Sequence, residues 1–161
     1  MAALLGLVFL LTLYGIGKHP FLIPVFFDIR IILLGFAFFF ALRDLREGHY
    51  AGLLYFWQGM IASVLLALVF AAVTSLGIWI FATVRPEFIE EYVQLFREQA
   101  ATFPPDAIEK IGKDNLDRNL KAIADTKAID LATLYAWQSV FISFFVSIII
   151  TVILRRQPKM I

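Results

Sequence analysis

Ala51–Val84, AGLLYFWQGMIASVLLALVFAAVTSLGIWIFATV, decides the fold: these 34 residues contain no charged side chain. Wholly helical, the stretch would measure about 51 Å, more than the roughly 30 Å of a bilayer's hydrocarbon core. Lipid offers no partner for backbone N–H and C=O groups, so a segment of this kind crosses as an α-helix. Tyr50, Tyr55, Phe56 and Trp57 at its start and Trp79 near its end have the pattern of interfacial aromatic belts. They put the span at about residues 58–82.

Working outward, three more apolar stretches are read as spans, at about 2–17, 24–42 and 131–154. The first has the length of a signal-peptide core. It lacks a positive leading region, and another apolar segment follows almost at once, so it is read as a short helix ended by Gly15, Gly17 and Pro20. The second begins at Phe21 or at Phe26, depending on where Pro24 sits, and ends at Leu42. The whole chain, 1–161, is expected to be a single all-α membrane domain of four transmembrane helices. Hydrophobic residues make up 61% and charged residues 17%, too little charge for a soluble surface.

A polar segment, 85–130, separates the third and fourth spans, with seven basic and ten acidic residues. Pro86, Glu87, Glu90 and Glu91 suit a helix start. Phe88, Tyr92, Leu95 and Phe96 follow at the helical period, making an apolar face that is a candidate surface for a partner. Pro104 and Pro105 break the pattern. Ile108, Ile111, Leu116, Leu120 and Ile123 then mark a second amphipathic stretch, predicted to run straight into the fourth span. The segment reads as an amphipathic helical hairpin whose faces meet each other, the membrane surface or a partner.

Short loops set the orientation. Arg43, Arg46, Arg155, Arg156 and Lys159 fall on the side that holds both termini, and the short opposite loop has Lys18, or Lys18 and Arg30. The termini are therefore expected in the cytoplasm and 85–130 outside it, as in a bacterial inner-membrane protein.

Net charge is +1 with no basic stripe, which gives no support for nucleic acid as a partner. The absence of cysteine removes disulfides, thiolate metal sites and thiol nucleophiles. His19 and His49 lie in loops on opposite sides, so they do not share a metal site. No phosphate-cradling glycine loop is present, and no cofactor is implied. The sequence carries no enzyme signature.

Two polar patterns remain. Gly59, Ser63, Ala67, Ala71 and Ser75 in the third span, and Ser139, Ser143, Ser147 and Thr151 in the fourth, recur every fourth residue. Small residues at that step let helix backbones approach closely, and packing is the favoured reading over a hydroxyl-lined path. Asp28 and Arg30 are the charges set within an apolar stretch. They lie at the outer interface if the helix begins near Phe26, or about 10 Å deep if it begins at Phe21. A spacing of two on a helix predicts that they do not pair. Gln58 and Gln138 are read as interfacial residues at opposite ends of their helices.

The segments REGHYAGLLYFWQ (46–58) and RPEFIEEYVQLFREQ (85–99) carry a resemblance to the four-span bacterial membrane family catalogued as domain of unknown function 4199. Gly52, Phe56, Gln58, Pro86, Glu87, Phe88, Ser147, Arg155 and Arg156 stand at the matching positions. The resemblance implies the four-span topology and supplies no activity. The expected role is a structural or interaction subunit, with the lipid bilayer and a membrane-protein partner or a second copy as its contacts. The alternative is a small transporter or channel using Asp28, Arg30 and the serine face.

Overall fold

The computed structural model describes residues 1–23 and 27–157, and at 107, 110 and 111 the backbone alone. Pro24, Phe26 and Lys159, on which parts of the span limits and the orientation argument rest, lie outside the described residues. The chain is all-α: α1 (Ala2–Gly15), a 3-10 turn (Pro20–Leu22), α2 (Ile29–Gly48), α3 (Phe56–Val84), α4 (Glu87–Ala101), α5 (Pro105–Ile111), α6 (Lys113–Ala124) and α7 (Ala128–Leu154).

α1, α2, α3 and α7 form a bundle. Gly59 meets Thr151 at one end of the α3–α7 pair and Ile78 meets Ala132 near the other, so these helices run antiparallel. α2 runs alongside α7: Arg30 contacts Ser139, Leu34 clusters with Ile142, and Leu42 clusters with Leu154. α1 fills the remaining face through Gly6 on Phe70, Leu7 on Gly77 and Tyr14 on Phe81.

α3 and α7 are the described helices long and apolar enough to cross a membrane, with mean hydropathies of 2.5 and 2.2 over their best windows. Much of their apolar surface points outward, including Ile61, Leu65, Val69 and Ile80 of α3 and Phe141, Phe145, Ile149 and Ile153 of α7. Small residues line the contact between the two helices, and larger ones such as Phe70, Ile78, Ile142 and Val146 are buried beside them. Close approach through small residues, with an apolar outer face, is a pattern that suits a lipid surround.

Four expectations need correction. Phe21 sits in the 3-10 turn and does not begin α2, which starts at Ile29 and runs on past Leu42 to Gly48. The second amphipathic stretch is not continuous: Gly112, at φ +85°, divides α5 from α6, a backbone conformation that glycine adopts without a Cβ clash. α6 does not run into the fourth long helix either. Asp125–Lys127 turns the chain, and Lys127 is extended before α7 begins, its N–H donating to Asp130. Finally, Ser75 leaves the buried line. A four-residue step overruns the 3.6-residue turn by about 40° each time, so the strict stripe rotates off the seam. Thr74, fully buried, takes its place, and Ser75 bonds back to the Ala71 carbonyl.

Candidate functional site

Asp28 is the N-cap of α2, extended at φ −73°, ψ 116°, and its Oδ1 accepts the Arg30 backbone N–H at 2.9 Å. An aspartate suits this position because its carboxylate satisfies a donor that the first helical turn leaves open. From there the same carboxylate takes the Arg30 side chain: Nε donates to Oδ1 at 2.9 Å and to Oδ2 at 2.7 Å, and Nη2 also donates to Oδ2. The expectation that these residues do not pair is therefore overturned. The spacing rule applies to two residues within a helix, and Asp28 lies just outside one.

The rest of the guanidinium is held by α7. Nη1 donates to Ser139 Oγ at 3.0 Å, Nη2 to Gln138 Oε1 at 3.1 Å, and the Tyr135 ring lies 4.2 Å beneath the guanidinium carbon. The Arg30 and Asp28 side chains are 7% and 13% exposed, so this is an ion pair inside the protein and not at its surface. Gln138 and Tyr135 were not expected to belong to it. Their spacing of three on α7, with Ser139 four after Tyr135, was the signal available. A cavity of about 100 Å³ adjoins the pair, walled by Phe9, Leu10 and Leu13 of α1 and by Pro20, Ile23 and Phe27.

The small-residue seam lies below. Gly59, Ser63, Ala67 and Ala71 of α3 and Ser139, Ser143, Ser147 and Thr151 of α7 are all buried. A Cβ on Gly59 would come 2.6 Å from Thr151 Cγ2. The hydroxyls of Ser63, Ser143 and Thr151 have no hydrogen-bond partner, and the space between Ser63 and Ser143 is about 40 Å³. Ser147 donates to the Phe144 carbonyl. This is close packing around a void of water size, without a continuous polar channel among the described residues.

At the same end as Asp28, the loop after α1 is clamped to α4. His19 is buried, its Nε2 3.0 Å from the Phe88 carbonyl oxygen, its ring stacked on Phe88 and flanked by Tyr14, Phe21 and Tyr92. Burial pushes the His19 pKa down, against the upward pull of the Phe88 carbonyl and of Glu91. Burial likewise raises the pKa of Tyr92. Phe88 and Tyr92 are thus spent on the chain's own core, which corrects their reading as partner-binding residues; Leu95 and Phe96 are half-buried. The basic end holds Arg43 and Arg46 on Glu47, whose carboxyl both guanidiniums hold below its usual pKa, and Arg46 also reaches the Leu154 carbonyl. His49 stands there beside Tyr50, far from His19 in the fold. No group of three metal-ligating side chains converges among the described residues.

Taken together, the helices and the buried polar network define an all-α protein with two helices of membrane-crossing length. The chain belongs to the family described as "Protein of unknown function (DUF4199)", whose profile matches residues 1–156. Comparison with curated proteins and with solved structures gave no match.

Proposed function

We propose that the chain is a four-span inner-membrane protein with both termini cytoplasmic, whose extracytoplasmic helical hairpin binds a partner protein, and that it is not an enzyme. Support for the four spans comes from α1 and α2, which pack with α3 and α7 and turn Leu4, Leu5, Val8, Ile32, Phe36 and Phe40 outward, extending the apolar surround of the two longer helices. The observation that carries the partner role is a groove of about 900 Å³ between α4, α5 and α6. Ala100, Ile108, Leu116 and Leu120 make its apolar part, and Arg97, Asp117, Lys121 and Asp125 supply charged groups around it. An apolar floor with a charged rim suits the amphipathic helix of another protein.

A photo-crosslinking residue at Leu120 tests this in native membranes. One stoichiometric adduct at Leu120, absent when the same probe replaces the buried Phe88, supports the reading; adducts to lipid alone, or equal labelling from both positions, overturn it.

A small transporter is the second reading, favoured by the cavity beside Asp28 and Arg30. Asp28→Asn would then abolish flux in proteoliposomes, and unchanged flux removes Asp28 from any path.

A further inference from the structure

Gly35 stands in the interior of α2 with nothing within 4 Å of where its Cβ would be. Gly15 and Gly48, equally open, are the last residues of their helices, whereas the other glycines away from a helix C-terminus have a packing reason: a Cβ at Gly6, Gly59 or Gly77 would come 3.1, 2.6 or 2.5 Å from a neighbouring side chain. Glycine weakens a helix interior, and no neighbour among the described residues requires it at 35. The space it leaves is a groove of about 340 Å³ walled by Ile32, Phe36, Phe39 and Phe40 of α2 and Ile150 of α7. Ile32, Phe36 and Phe40 are more than half exposed.

The groove has a direction. Ile32, Gly35, Phe36, Phe39, Phe40 and Arg43 follow at steps of three and four or one, on one face of α2. From Ile32 to Arg43 is about 16 Å along the axis, close to the roughly 15 Å depth of one leaflet's hydrocarbon. Arg43 is half-exposed at the end of the groove, paired with Glu47. Arg43, Arg46, Arg155 and Arg156 outnumber Asp44 and Glu47, so this end carries excess positive charge among the described residues.

We propose that this groove is a binding site for an anionic glycerophospholipid, one acyl chain lying over Gly35 between the phenylalanines and the phosphate meeting Arg43. The site rests on the membrane reading above. A second copy of the chain fits less well, because Ile31 and Phe39, four residues to either side of Gly35, are bulky where a close helix pair needs small residues.

The test uses the full chain purified in dodecyl maltoside and stripped of lipid, with affinity read from thermal shifts on adding phosphatidylglycerol or phosphatidylcholine. Phosphatidylglycerol should bind about tenfold more tightly, and Arg43→Gln should remove that preference. Gly35→Leu should weaken both lipids by about tenfold or more while its lipid-free Tm stays at or above the parent's, since leucine favours a helix. Equal binding of the two lipids by the parent, or undiminished binding by Gly35→Leu, overturns the site. So does a dimer of the parent that Gly35→Leu dissociates, which would put a second copy in the groove. Alkaline carbonate washing of native membranes separates the two readings. Release of the chain removes the membrane reading itself, whereas a retained chain without lipid preference removes the site alone.

Discussion

The His19 imidazole donates from Nε2 to the carbonyl of Phe88, 69 residues further along the chain, and thereby ties the loop after α1 to the first turn of α4. The other ring nitrogen, Nδ1, is buried without a partner.

This contact predicts a pH dependence with a definite sign. Burial lowers the His19 pKa from its ordinary 6.5, so the folded chain binds fewer protons there than the unfolded chain. The stabilisation is fully present above about pH 6.5 and is lost as pH falls through that value, because the unfolded state then gains a proton that the cage resists. Glu91 on α4 opposes the shift without reversing its direction. Amide-exchange protection at the start of α4, taken relative to the intrinsic exchange rate at each pH, should fall between pH 7.5 and 5.5 in the parent and stay level in His19→Phe; the same loss of protection in both would remove His19 from the effect.

Asp28→Asn should cost about 3–5 kcal/mol, since it strips the counter-charge from a guanidinium that remains buried against Tyr135. The paired change Asp28→Asn with Arg30→Met should recover most of that loss, because no charge is then left in the interior. Chemical unfolding of the three proteins in detergent gives the comparison, and a double variant no better than the single one would contradict it.

Where α3 meets α7, Gly59→Ala should destabilise by about 1–3 kcal/mol by forcing Thr151 away from α3. Thr151→Ala deletes the methyl that a new Cβ would strike, so the two together should lie closer to the parent than Gly59→Ala alone. Gly77→Ala should cost less, because its obstacle is the movable tip of Leu7. Melting temperatures rank the four chains directly.

Ser63→Ala and Ser143→Ala should be neutral or stabilising, as each removes a buried hydroxyl with no hydrogen-bond partner. Were these hydroxyls part of a conducting path, the same changes would lower flux while leaving the melting temperature alone. Measuring both quantities on one preparation separates packing from conduction.

The serine and small-residue lines were legible because their partners recur at a regular step, and a step of four on one helix and its neighbour already implies close approach. Ser75 shows the limit of that reading: a step counted in whole residues drifts against a 3.6-residue turn. The pairing of Asp28 with Arg30 is hidden because the helix boundary falls between them, so the helical spacing rule does not reach Asp28, and the sequence around Pro24 and Asp28 leaves that boundary open. The Gln138 and Tyr135 contribution depends on how α2 lies along α7, a relationship with no local signature. His19 is harder still. Nothing near it in sequence announces that Phe88 will cover it, and for the same reason Phe88 and Tyr92 looked free when they are buried.

Leu54 and Arg156 exchange two backbone hydrogen bonds, of 3.0 and 2.9 Å, joining a residue two before α3 begins to one two after α7 ends. Sliding either helix by a single turn, about 5.4 Å, would tear both bonds. The α3–α7 pair is therefore stitched into one register at its basic end. A slide of α3 along α7 has to break that stitch, whereas a swing of α1, α2 or the helices between α3 and α7 leaves it whole.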